Sequence, residues 1–114
     1  MALSEQRKQE LFEVLDRTSL EYPQECIDFL KLADEEIITR TVDGFDYKLY
    51  IYRAKKRTPN CPIHINIHGG GFVGPHAPCD SMFSSYVADQ IGGIVVDLDY
   101  TTSREAQWPV AFDQ

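Results

Sequence analysis

A chain of 114 residues with 43% apolar and 25% charged residues suits one soluble domain with a modest core. Its formal net charge of −7 argues against a nucleic-acid partner and against an anionic membrane surface. No apolar run approaches the roughly 18–20 residues of a membrane span, and Ser4 to Glu10 are too polar for a secretory leader.

The first third reads as helix. Leu11, Val14 and Leu15 recur at helical spacing with charges between them. Pro23 suits the first turn of a second helix, with Cys26 or Ile27, Leu30 and Ala33 as its apolar face. From Glu36 the period changes. "IITRTV" is rich in β-branched residues, and Asp43-Gly44 is a strong hairpin dipeptide. The return strand alternates, with Phe45, Tyr47, Leu49 and Ile51 on one face and Asp46, Lys48, Tyr50 and Tyr52 on the other. The basic "RAKKRTPNCP" reads as an exposed connection.

The strand "IHINI" then ends at His68. After a glycine- and proline-rich loop, Asp80 is the expected N-cap of a helix whose buried face is Met82, Phe83, Tyr86, Val87 and Ile91. Gly92-Gly93 closes that helix. "IVVDLDY" follows as a near-continuous apolar strand, expected to be covered on both faces. Strand, loop, helix and strand make a βαβ unit. Cys26, Cys61 and Cys79 are odd in number, widely separated and without C-x-x-C spacing. Reduced thiols in a cytoplasmic protein are expected, with no metal site and no cofactor.

The stretch "INIHGGGFVGPH", Ile65 to His76, is the most informative. Three glycines together are costly in any regular element, so this loop needs backbone without side chains. A tight structural turn is the plainest reading, although two glycines would serve. A phosphate cradle is the second, disfavoured because G-x-G-x-x-G spacing and a P-loop lysine are both absent. Asp80, an anion, would also sit where the phosphate binds. An oxyanion hole is the third and best supported: two backbone N–H groups stabilise the charge that builds on a carbonyl oxygen during acyl transfer.

"HGGGF" after "IHINI", with "GIVVDLDY" about twenty residues later, resembles the hormone-sensitive-lipase-like branch of the α/β-hydrolase fold. The resemblance spans essentially the whole chain. It implies an α/β fold in which residues 1–34 are cap-like helices. Residues 35–114 would be the hairpin and βαβ unit opening an incomplete α/β-hydrolase sheet. It also implies that Gly70 and Gly71 supply the oxyanion N–H groups, that Gly69 shapes the turn and that His68 organises the loop without being the catalytic base. Phe72 and Val73 would lie near the acyl pocket. His64, mid-strand, reads as a packed or edge residue, and His76 has no assigned role. The family's continuation after Asp99-Tyr100 is only partly kept in "DYTTSREAQWPVAF": Glu105, Trp108-Pro109 and Ala111 match, while the family's Arg and first Pro are absent.

A hydrolase of this fold needs a nucleophile, an acid and a base, with the serine on a G-x-S-x-G elbow. No such pentapeptide occurs in the 114 residues. Ser81, Ser84 and Ser85 fall on the helix, where capping or solvated roles are expected. The sequence therefore reads as the N-terminal part of a small-ester esterase, with the rest of the hydrolase domain as its missing partner. Two rivals remain: a non-catalytic α/β remnant or interaction module, and a small nucleotide-binding domain, which the loop disfavours.

Overall fold

In a computed structural model, residues 2–16 and 20–114 are described. The chain begins with α1 (Glu5–Leu15), which Ser4 caps by accepting a hydrogen bond from the Arg7 N–H. α1 is helical as expected, but none of its residues is buried, and Leu11, Val14 and Leu15 remain exposed. Arg104 ties it to the rest of the chain: the guanidinium lies 4.6 Å from the Phe12 ring centroid and donates to the Phe12 carbonyl at 3.1 Å.

Pro23 precedes α2 (Gln24–Ile27), a single turn that tightens into a 3₁₀ turn at Asp28–Lys31. Ala33 is not part of that helix. It opens β1 (Ala33–Val42), which pairs antiparallel with β2 (Phe45–Ala54). Asp43 and Gly44 both take positive φ, 51° and 80°, as a two-residue turn between right-twisted strands requires.

β3 (Ile63–Ile67) leads through the glycine loop into α3 (Pro78–Ile91), and β4 (Ile94–Asp99) returns parallel to β3. β4 also pairs antiparallel with β2, giving the sheet order β1-β2-β4-β3. A short helix, α4 (Val110–Asp113), ends the described chain.

Two features of α3 differ from expectation. It starts at Pro78, so Asp80 is not the N-cap; from within the first turn its carboxylate accepts the Ala77 N–H at 2.8 Å. The helix is also rotated. Ser81, Met82, Ser84, Ser85 and Ala88 face the sheet, while Phe83, Tyr86 and Ile91 are exposed. Polar anchoring explains the rotation. Ser85 donates to the Phe29 carbonyl at 2.7 Å and accepts the Ala33 N–H at 3.2 Å, satisfying backbone groups at the junction of the 3₁₀ turn with β1. Its neighbour Tyr86 meets the Phe29 ring at 5.1 Å.

The core lies between α3 and one face of the sheet, around Ala33, Tyr52, Ala88 and Val95. β4 is accordingly covered on one face only among the described residues. Val95 and Asp97 are buried, whereas Ile94, Val96 and Leu98 are half-buried. The other face carries Leu49, Ile51, Val96 and Leu98 and continues onto β3, where Ile63, Ile65 and Ile67 are each about two-thirds exposed.

Candidate active-site loop

The loop after β3 crosses itself. The Gly70 carbonyl accepts both the Val73 and the Gly74 N–H, at 3.1 and 2.8 Å. A Cβ on Gly70 would come within 2.7 Å of Gly74 Cα, so the crossing excludes a side chain there. Gly70, Gly71 and Phe72 take positive φ in succession, 127°, 60° and 63°. The first two values suit glycine, while at Phe72 the left-handed conformation is a strain that the surroundings must hold. No described residue engages the N–H of Gly70 or of Gly71, and both residues are exposed. Both donors are therefore open to an external acceptor.

His68 anchors the loop from below. Its ring is 4% exposed and stacks on Tyr100 at 4.4 Å, while the Tyr100 hydroxyl donates to the His68 carbonyl at 3.1 Å. Nδ1 lies 2.8 Å from the Gly69 carbonyl oxygen, which fixes the proton on that nitrogen. Phe72 is braced from the other side. Its carbonyl accepts both the N–H of Ser103 at 2.8 Å and the Ser103 hydroxyl at 3.1 Å. Val73 is half-buried, and its N–H is spent within the turn. His64 faces solvent on the edge strand.

His76, unassigned in the sequence, belongs to a buried polar group behind this loop. Its Nε2 sits 2.9 Å from Asp97 Oδ2, with the two side chains 8% and 0% exposed. The other carboxylate oxygen, Oδ1, accepts the Asn66 amide at 2.8 Å. The imidazole stacks on Tyr50 at 4.6 Å and presents an edge contact to His68 at 5.7 Å. Burial alone would push the His76 pKa down. The hydrogen bond that His76 donates to Asp97 and the negative charges of Asp97, Asp99 and Asp80 together outweigh it, and the net shift is upward. Burial likewise raises Asp99, partly offset by His76, His68 and Lys48. One signal could have revealed this group: Asp97 shares a face with Val95 and interrupts the apolar run from Ile94 to Leu98. A carboxylate at an inward position requires a partner.

Asp99 and Lys48 line a cleft of about 470 Å3 at the end of the sheet. A smaller cavity of about 300 Å3 lies beside Phe72 and is walled by Trp108 and Phe112. Among the described residues no group of three or more His, Cys, Asp or Glu side chains is placed to hold a metal ion. No described helix is long and apolar enough to cross a membrane.

No protein-family model matches the chain. It is 31% identical over 72 residues to the versiconal hemiacetal acetate esterase of Dothistroma septosporum, a match covering 63% of the chain and 21% of that protein. Its fold superposes on a hyperthermophilic esterase from the archaeon Pyrobaculum calidifontis with a TM-score of 0.63 and 25% identity, covering 97% of the chain and 39% of the esterase. A thermostable esterase from Pseudomonas putida ECU1011 gives a TM-score of 0.61 and 22% identity, covering 97% and 33%. The chain thus spans about a fifth of the curated relative's length and a third or slightly more of these solved esterases.

Proposed function

We propose that the chain is the N-terminal part of a hormone-sensitive-lipase-like carboxylic ester hydrolase and supplies its oxyanion-binding part, a reading that its fold likeness to solved esterases supports. The observation that carries this reading is the pair of unengaged N–H groups at Gly70 and Gly71, on an exposed loop braced by His68, Tyr100 and Ser103. In acyl transfer the carbonyl oxygen becomes an oxyanion, and two fixed N–H donors stabilise it without reorganising. His68, with Nδ1 committed to Gly69, organises the loop. Residues 1–34 act as a cap-like segment, of which residues 1 and 17–19 lie outside the described residues. The nucleophile, acid and base come from the remainder of the hydrolase domain, and the substrate is a small ester. Three free thiols support a reducing, cytoplasmic setting.

The test uses a protein in which this chain continues into a G-x-S-x-G segment. Gly71 has room for a Cβ, with nothing within 4 Å, so Gly71→Ala perturbs the donor's backbone without a clash. Turnover of a short-chain aryl acetate should fall about 10²–10³-fold. Reaction of the serine with an organophosphate should fall less. Undiminished turnover overturns the oxyanion role. The 114 residues alone should hydrolyse the ester no faster than a denatured control. The absence of G-x-S-x-G from these residues also suits an inert α/β module. That reading stands if no serine-bearing continuation or partner chain confers activity.

A further inference from the structure

Three aromatic rings stand together at the surface beside the glycine loop. Phe72, Trp108 and Phe112 are 48%, 74% and 62% exposed. Trp108 and Phe112 have ring centroids 4.3 Å apart, and Phe112 and Phe72 5.5 Å apart. With the methyl groups of Ala106 and Ala111 they wall the cavity of about 300 Å3, whose polar members are Ser103 and Gln107. No ionisable side chain lines it, in a chain of net charge −7. A neutral ligand is implied.

A second apolar cavity, on the Ile67–Leu98 side of Phe72 and Phe112, runs onto the uncovered sheet. The Trp108 cavity differs, because no strand residue contributes to its walls. It is built wholly from Phe72 and the 103–112 segment. Its volume is also selective. Ligand pockets begin near this size, and an apolar cavity of ~150 Å3 already admits benzene. One ring with a short arm fits.

We propose that this cavity binds the aromatic ring of an aryl or arylalkyl ester. Phe72, Trp108 and Phe112 are then its specificity-determining residues. The ring would meet edges and faces of tilted aromatic walls, the arrangement that aromatic quadrupoles favour. Phe72 follows Gly71 directly, and Ser103 fixes the Phe72 carbonyl while lining the cavity. A bound ring is thereby one residue from the unengaged N–H pair. The ester part of the inference rests on the oxyanion reading of that loop; the aromatic pocket does not.

Trp108 is the only tryptophan, so it reports on its own pocket. The 114-residue chain is titrated with benzyl alcohol, with cyclohexylmethanol as an equally apolar, non-aromatic control. Benzyl alcohol should change Trp108 emission saturably in the millimolar range, and cyclohexylmethanol should bind several-fold more weakly. Phe112→Ala should weaken benzyl alcohol roughly three- to tenfold. Ala106→Leu should abolish binding by filling the space. Circular dichroism checks that both variants keep the parent fold, and saturation-transfer NMR on the parent chain reads the bound ring independently. No saturable signal by either method overturns the proposal. So does cyclohexylmethanol binding as tightly, or unchanged binding to a folded Ala106→Leu chain. No acyl transfer enters this test. Ring binding alongside an inert serine-bearing protein removes only the ester reading, and Gly71-dependent hydrolysis without ring binding removes only the pocket.

Discussion

The two faces of the sheet divide apolar content and order in opposite ways. On the face beneath α3, the largest fully buried side chains are Tyr52, Val95, Asp97, Ser84 and Ser85, and Val95 is the one aliphatic of these five. The opposite face gathers Leu49, Ile51, Val96, Leu98, Ile63, Ile65 and Ile67, yet no described element covers it. Apolar area stabilises only when it leaves water. The face richer in hydrocarbon therefore contributes less to this structure than the face richer in specific hydrogen bonds. Polar groups that are buried and paired fix the orientation of α3, and through Asp97 and His76 they back the glycine loop.

Asp97→Ala would break that comparison most forcefully. It leaves the buried His76 side chain and the half-buried Asn66 without their acceptor, and removing one partner of such a group costs about 3–5 kcal/mol. Urea denaturation measures the loss; a change below about 1 kcal/mol would show that the covered face does not carry the stability. Tyr52→Phe is a milder probe on the same face. It removes a 2.8 Å hydrogen bond to Glu35 and should cost about 0.5–1.5 kcal/mol, read from the same curves.

Acidity sharpens the comparison, because His76 pairs with Asp97 on the covered face. His76 has a pKa raised above its ordinary 6.5, so the folded chain holds this proton more tightly than the unfolded one. Its contribution is fully present below 6.5 and is lost as the pH rises through the folded-state value. Urea midpoints should fall from slightly acid to slightly alkaline solution, and His76→Gln should flatten the slope. A slope that persists in the variant would assign the titration elsewhere.

The smallest effect on stability belongs to the uncovered face. Ile65→Lys should change the unfolding free energy by no more than about 0.5 kcal/mol, because the side chain is already 66% exposed. Self-association should fall, since an apolar edge strand is a template for pairing and lysine blocks it. Size-exclusion chromatography distinguishes the outcomes. A parent chain that is already sharply monomeric would mean the edge is not adhesive.

Features set by local chemistry were legible from the residues: the Asp43-Gly44 turn, the alternating hairpin, the βαβ unit and the glycine loop. Each follows from spacing or from a φ that few residues tolerate. The α3 orientation was not legible. Periodicity marks Phe83, Tyr86 and Ile91 as inward, but it carries no information on the backbone groups of Phe29 and Ala33 that recruit Ser85. The two-sided burial expected for β4 failed for a related reason: an apolar run shows that a strand can be covered, not that a layer is present. His76 and Asp97 meet only because the loop folds back over β4. At the candidate site, the glycines were readable from sequence, whereas Ser103, Trp108 and Phe112 depend on the path of the chain after β4.

That path has a kinetic consequence. The hairpin β1–β2 and the unit β3–α3–β4 are each assembled from neighbours in sequence, and the antiparallel seam between β2 and β4 alone joins them into one sheet. Tyr52 faces Val95 across that seam from the opposite half of the chain. Closing so long a loop costs entropy before any contact rewards it, so the seam should form last and set the folding rate. Val95→Ala should then slow refolding in a stopped-flow experiment, and Thr41→Ala, in a hairpin already formed when the seam closes, should also act on refolding and leave unfolding nearly unchanged.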